Sequence, residues 1–234
     1  ILKKEMEVKK YMDNKNNQKS ESFILASLLA IVGGFLDAYT FCCRDKVFAN
    51  AQTGNIVRVG ITLANGEYYK TLRYSSPILA FSIGVLLAMY MRNKSYSKCH
   101  WRQVVLFFEA MIIVIVSFIP MNNILNIISN ILISFLCAMQ AESFRKVLGK
   151  PFSSTMCTGN LRSGTEYLYN TLASKDYKLL KNMMQYLLII ISFISGAFIG
   201  VLITNALLEK AILISLIPLF ISIYIMSDKI NYGI

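Results

Sequence analysis

Two short polar motifs and two acidic side chains interrupt an otherwise apolar sequence. The triplet Thr53-Gly54-Asn55 recurs 105 residues later as Thr158-Gly159-Asn160, and the same offset aligns Asp37 with Glu142. A hydroxyl, a permissive glycine and an amide suit a break in a helix, where freed backbone groups need new partners. Those partners are either a bound solute or, in the structural alternative, the asparagine of each triplet, which would satisfy a tight turn.

The two carboxylates are the second candidate for chemistry. Asp37 falls well inside an apolar run, and Glu142 occupies the matching place in the second half. An ionised carboxylate at the centre of a bilayer costs at least about 2.5 kcal/mol and needs a partner or a proton. The pair therefore either handles protons or cations, or fastens each helix to the neighbouring triplet segment.

Gln52 and Gln140 lie near these motifs. Neither has a glutamine at the aligned position of the other half, where Cys157 aligns with Gln52 and Phe35 with Gln140. This asymmetry fits a site for an asymmetric solute, and it also fits chance divergence. The sequence thus predicts a solute-binding site formed by Asp37, Gln52, Thr53, Gly54, Asn55, Gln140, Glu142, Thr158, Gly159 and Asn160.

The elements that must position these residues are apolar helices. Hydrophobic residues make up 55% of the 234, and only 16% are charged, which is unusual for a soluble domain. A membrane-spanning helix needs about 20 mostly apolar residues. Such runs cover residues 22–43, 74–91, 103–120, 124–141, 183–207 and 211–226, and they predict six transmembrane helices.

The triplets lie in two weaker segments, residues 47–66 and 152–173, which are rich in amides and hydroxyls. Polar backbone at membrane depth persists only where protein or a wet cavity surrounds it, so both segments are predicted to be re-entrant or broken helices. With six spans, 18 of the 24 basic residues fall on one side, which the positive-inside bias makes cytoplasmic. Both termini are therefore expected in the cytoplasm.

Because each half is predicted to cross the membrane three times, the second half is inverted relative to the first. The predicted fold is an all-α integral membrane protein with two inverted repeats, a design that transporters use. Its parts are a polar tail at 1–21 and membrane repeats at 22–120 and 121–234. Small residues that recur every four positions, as at Gly84 and Ala88 or Gly196 and Gly200, predict close helix packing.

Two stretches carry a resemblance to a known family. Gly33-Gly34-Phe35-Leu36-Asp37-Ala38, followed by Phe48-Ala49-Asn50-Ala51-Gln52-Thr53-Gly54-Asn55, resembles the YoaK-type family of bacterial membrane proteins. Ala138-Met139-Gln140 and the second triplet look like its second-half counterpart. The resemblance covers nearly the whole chain after the polar tail. It implies a bacterial inner-membrane protein whose biochemical activity is uncharacterised.

Several function classes are disfavoured. The net charge of +11 is spread over flanks between apolar runs and forms no single cationic face for nucleic acid. No nucleophile elbow, phosphate-binding glycine loop or HExxH pattern is present, so we expect no enzyme, no cofactor and no metal. The sequence favours a transporter or channel for a small molecule or ion in the lipid bilayer, with a non-transporting scaffold or sensor as the alternative. It does not fix the oligomeric state.

Overall fold

The structure is a computed structural model that describes residues 21–94, 101–147, 150–153 and 157–227. The predicted tail, apart from Glu21, and the connection around His100 lie outside these residues. The α-helices are α1 Phe23–Cys43, α2 Gln52–Ala64, α3 Tyr68–Asn93, α4 Trp101–Ser117, α5 Asn123–Ser143, α6 Cys157–Ser174, α7 Leu180–Leu207 and α8 Leu216–Ser227. Shorter elements are an antiparallel hairpin of β1 Lys146–Val147 and β2 Lys150–Pro151, and 3₁₀ turns at Tyr177–Leu179 and Leu208–Ser215.

Local side chains fix the starts of two of the apolar helices. The hydroxyl of Ser22 accepts a hydrogen bond from the Leu25 backbone N–H at the start of α1. The side chain of Asn122 accepts two at the start of α5, from Ile124 and Leu125. Both are the residue types that satisfy the unpaired N–H groups of a first helical turn. Each helix therefore begins where the sequence changes from polar to apolar.

Four helical segments of the described chain are long and apolar enough to cross a membrane, namely Phe23–Cys43, Tyr68–Asn93, Asn123–Ser143 and Tyr177–Ser227. The last includes α7, a 3₁₀ turn and α8. The run predicted at 103–120 forms α4, which has 17 residues. The predicted helical class is thus confirmed, and the short hairpin is an addition that the sequence did not indicate.

Ion pairs and hydrogen bonds define two opposite ends of the helical bundle. At one end, Arg92 pairs with Glu142 at 3.0 Å, and Arg102 contacts Glu21 at 3.7 Å. At the other end, Arg73 pairs with Asp45 at 3.6 Å, just beyond the end of α1. We call these the Arg92 end and the Arg73 end. Helices α1 and α3 run between them in opposite directions.

Helix α2 stays in the half of the bundle at the Arg73 end. The amide of Asn50, just before α2, donates to the Gly33 carbonyl in the middle of α1, at 3.0 Å. Near the other end of α2, the hydroxyls of Thr62 and Thr71 are 2.9 Å apart, which places that end beside the start of α3. Residues 44–51 therefore lead from the end of α1 back to its middle, and α2 then runs back toward the Arg73 end.

Close helix crossings follow the predicted small residues. A methyl group added at Gly196 in α7 would overlap the Ile31 carbonyl of α1, and one at Gly34 would overlap the Phe193 carbonyl. In the same way, a methyl group at Gly84 in α3 would overlap the Phe135 carbonyl of α5. The absence of side chains lets these backbones approach closely. The predicted role of the small residues in packing is confirmed at these crossings.

Gly196→Ala tests the α1–α7 crossing, because the added methyl group forces the two backbones apart. We expect the free energy of unfolding to fall by about 1 to 3 kcal/mol, which is the usual cost of overpacking a tight interface. The measurement is the thermal midpoint of the purified protein in detergent. Gly60→Ala is the matched control, since nothing lies within 4 Å of a methyl group there. An equal midpoint for the two variants would contradict the crossing.

Candidate functional site

A cavity lies where the starts of α2 and α6 approach the C-terminal half of α1 and the middle of α7. Its volume is about 980 Å³, within the range of ligand-binding pockets. The wall includes five phenylalanines together with acidic, amide and hydroxyl side chains. Its residues are Asp37, Ala38, Phe41, Cys42, Phe48, Asn50, Ala51, Gln52, Thr53, Ile78, Phe81, Ser82, Pro151, Phe152, Ser153, Cys157, Thr158, Gly159, Asn160, Ser163, Phe193, Ala197 and Val201.

The predicted site residues divide into two groups. Six of them line this cavity, namely Asp37, Gln52, Thr53, Thr158, Gly159 and Asn160. The other four, Gly54, Asn55, Gln140 and Glu142, are not in its wall. Each triplet therefore contributes to the same cavity, although the two triplets are far apart in the sequence.

Asp37 fixes the turn that precedes α2. Its side chain is buried, and Oδ1 accepts a hydrogen bond of 2.7 Å from the backbone N–H of Asn50. The Asn50 side chain donates in turn to the Gly33 carbonyl. These two bonds hold the interrupted backbone against α1, which is the fastening role considered for the carboxylate. Asp37 is also one of the residues of the cavity wall, so contact with a solute stays a prediction.

The asparagine of each triplet satisfies backbone seven residues earlier. Asn55 accepts from the Phe48 N–H at 3.2 Å and donates to the Phe48 carbonyl at 2.7 Å. Asn160 makes the same pair of bonds with Ser153, at 3.3 and 2.6 Å. This geometry agrees with the structural alternative for the asparagines. Solute contact by Thr53 and Thr158, which line the cavity, stays a prediction.

Glu142 has a different environment from Asp37. It pairs with Arg92 at 3.0 Å and with Arg145 at 3.6 Å, because basic side chains gather at this end of the bundle. It lines a second cavity of about 460 Å³, which shares Phe81 and Phe152 with the first. The two carboxylates therefore do not form one paired site.

Gln140 also lies apart from the main cavity. Its side chain is fully buried, and its amide donates to the Leu29 carbonyl at 3.1 Å, which joins α5 to α1. Gly54, in contrast, lies against the ring of Phe48, where an added methyl group would be 3.2 Å from the ring. Both residues support the walls of the site.

Sequence reasoning missed Arg44, which is fully buried at the end of α1. Its guanidinium donates to the Tyr39 hydroxyl at 2.9 and 3.1 Å, to Asn126 at 3.0 Å and to the Ile119 carbonyl at 2.8 Å. From the sequence alone, an arginine directly after an apolar run is expected to lie at the membrane–water interface. Its burial depends on carbonyl groups beyond α4, which are distant in the sequence.

Glu109 in α4 is a second buried ionisable residue, with 1% exposure. Neither of its carboxylate oxygens has a hydrogen-bond partner within the described part of the chain. Among the same residues, no group of three His, Cys, Asp or Glu side chains is placed to hold a metal ion. Neither cavity described above includes Glu109 in its wall.

These features define a helical protein with membrane-type helices, in which the starts of α2 and α6 meet at a cavity. Over residues 25–225 the chain matches the model of a family described as "Protein of unknown function (DUF1275)", and the chain belongs to that family. The resemblance inferred from the motifs is confirmed by this match. Comparisons with curated proteins and with solved structures gave no match.

Proposed function

We propose that this protein is a small-solute transporter or channel of the bacterial cell membrane. The observation that carries the proposal is the cavity of about 980 Å³, whose wall combines Asp37 with the starts of α2 and α6. Discontinuous helices that meet near the middle of a bilayer are a recurrent way of building a solute site. The solute would contact Asp37, Gln52 and Thr53 on one side and Thr158 to Asn160 on the other.

The surface of the bundle supports placement in a bilayer. Leu79 and Leu86 on α3 are each 66% exposed, and Phe198 on α7 is 65% exposed. Large apolar side chains exposed along a helix in this way would be a liability in water, whereas lipid tails accommodate them. The described helices are therefore proposed to cross the membrane, with α2 and α6 entering it without crossing.

The pairing of helices supports an inverted repeat with six crossings. Helix α1 packs mainly on α7, and α3 packs mainly on α5. If α1 corresponds to α5 and α3 to α7, exchanging the halves turns one of these contacts into the other. The contact of α2 with α3 likewise becomes that of α6 with α7. This agreement favours two equivalent halves facing opposite sides of the membrane.

A non-transporting scaffold or sensor is the second candidate. Internal hydrogen bonds of Asp37, Asn55 and Gln140 favour it, because each side chain already satisfies backbone of this chain. In a scaffold these polar groups would only hold helices together. The size of the cavity favours the transporter, since buried polar fasteners need no space of this kind.

The orientation is tested by labelling single cysteines on a cysteine-free background. We propose that the Arg92 end faces the cytoplasm, because 18 of the 24 basic residues then lie inside. An impermeant thiol reagent should modify Met121→Cys in intact cells, and should modify Ser97→Cys only after permeabilisation. The reverse pattern would invert the proposed topology.

Transport is tested with protein reconstituted into vesicles and a broad pool of labelled small solutes. We expect uptake of at least one solute above that of protein-free vesicles. Thr158→Trp should then lower uptake at least about tenfold, because Thr158 lines the cavity and the indole would fill it. Thr165→Trp is the matched control on the same helix, since Thr165 is exposed and is not among the residues of the cavity wall.

Two results would contradict the transporter. Uptake no greater than in protein-free vesicles for every solute would favour the scaffold. Equal uptake by the Thr158→Trp and Thr165→Trp variants would show that the solute does not pass through this cavity. Thermal midpoints of both variants verify that the comparison is made on folded protein.

A further inference from the structure

The charge of the cavity wall indicates which class of solute fits. Asp37 is the only acidic side chain in the wall, and no lysine or arginine of the described chain lines it. The nearest triplet groups are uncharged hydroxyls and amides. A cavity of this composition opposes an anion and leaves a single carboxylate to balance a cation.

Aromatic rings are the largest apolar side chains of the wall. Five phenylalanines surround the space, namely Phe41, Phe48, Phe81, Phe152 and Phe193. Their area favours an apolar body, and aromatic faces carry partial negative charge that attracts cations, although Lys46 and Arg58 of this chain already lie over Phe41, and Arg58 over Phe48. Polar groups are concentrated at the starts of α2 and α6. The wall therefore suits a molecule with one charged head and an apolar remainder.

Hydrogen-bonding capacity favours a head that donates. The Asp37 carboxylate can only accept when ionised, and Asn50 beside it has a buried Oδ1 with no partner in the described part of the chain. A protonated amine carries both a positive charge and several N–H donors. A quaternary or neutral head lacks one of these two properties.

Several groups near the cavity that could attract an anion are already engaged. At the start of α2, the Gln52 N–H donates to the Asn50 carbonyl at 2.9 Å, and the Gly54 N–H donates to Ala51 at 3.0 Å. The guanidinium of Arg58 lies over the rings of Phe41 and Phe48, each at 5.5 Å, and is not part of the wall. These groups therefore give an anion little to bind.

We propose that the cavity binds a protonated amine with an aromatic or other apolar body, whose ammonium contacts the Asp37 carboxylate and whose body contacts the phenylalanine rings. This inference rests on the proposed role of the cavity as the solute site, and it names the class of that solute. The Asp37 carboxylate and the aromatic rings act together, so charge and apolar contact both contribute to affinity.

The test compares three probes of similar size on the full chain in lipid nanodiscs at about pH 7. They are 2-phenylethylamine, which is a cation at this pH, 3-phenylpropionate, which is an anion, and 2-phenylethanol, which is neutral. Empty nanodiscs give the partition background. We expect saturable binding of the amine at least about tenfold tighter than of the other two.

Substitution then locates the charge. Asp37→Asn should weaken amine binding at least about tenfold, whereas 2-phenylethanol binding should fall much less, because the amide oxygen can still accept the hydrogen bond from the Asn50 N–H. Asp45→Asn is the matched control, because Asp45 pairs with Arg73 outside the cavity, and it should not change amine binding. If Asp37→Asn fails to fold, the order of the three probes on the unmodified protein decides the question.

The inference is overturned if the propionate or the alcohol binds as tightly as the amine, if no probe binds saturably, or if folded Asp37→Asn binds the amine as the unmodified protein does. Uptake of only anionic or neutral solutes by vesicles would overturn it and would leave the transporter proposal in place. Saturable, Asp37-dependent amine binding without any uptake would have the opposite meaning, supporting the amine site and contradicting transport.

Discussion

The hydrogen bond from the Asn50 backbone to Asp37 is the contact on which the arrangement of the site depends. Residues 44–51 bring non-helical backbone into the middle of an apolar bundle, where unpaired N–H and C=O groups cost about 1 to 3 kcal/mol each. Asp37, Gln52 and Asn55 satisfy that backbone from within the chain. The turn can therefore stay at this depth, and α2 can start beside the cavity.

A second interruption, ahead of α6, meets the same requirement with different means. Asn160 bonds both backbone groups of Ser153, and the Tyr186 hydroxyl donates to the Pro151 carbonyl at 2.8 Å. Glu142, which aligns with Asp37, instead forms ion pairs with Arg92 and Arg145. One half thus presents a carboxylate to the cavity while the other presents hydroxyl and amide groups. This difference gives the site two unlike sides.

The sequence predicted the parts of the structure that local physical rules decide. Long apolar runs predict helices such as α1 and α5, because that signal lies within a short stretch. The repeated triplets lie in the first turns of α2 and α6, which are continuous helices, so the non-helical backbone lies in the connections before them and not at the triplets. Arg44 was missed because its partners Asn126 and Ile119 are far away along the chain. Glu142 was predicted to share a site with Asp37 for a similar reason. An alignment of the two halves matches positions in the sequence and does not show that Glu142 pairs with Arg92. The differences between the two halves at these positions therefore come from contacts between segments that are distant in the sequence.

The cavity bordered by the starts of α2 and α6 can act as a solute site only if water and solutes enter it. The native cysteines test this directly, because Cys42 and Cys157 line the cavity whereas Cys43 and Cys137 are buried outside its wall. The measurement is the rate at which each thiol reacts with a small cationic methanethiosulfonate in nanodiscs, followed by mass spectrometry of peptides. The account predicts that Cys42 and Cys157 react at least about tenfold faster than Cys43 and Cys137. Equal, slow reaction of all four would show that the space is closed and would contradict the account.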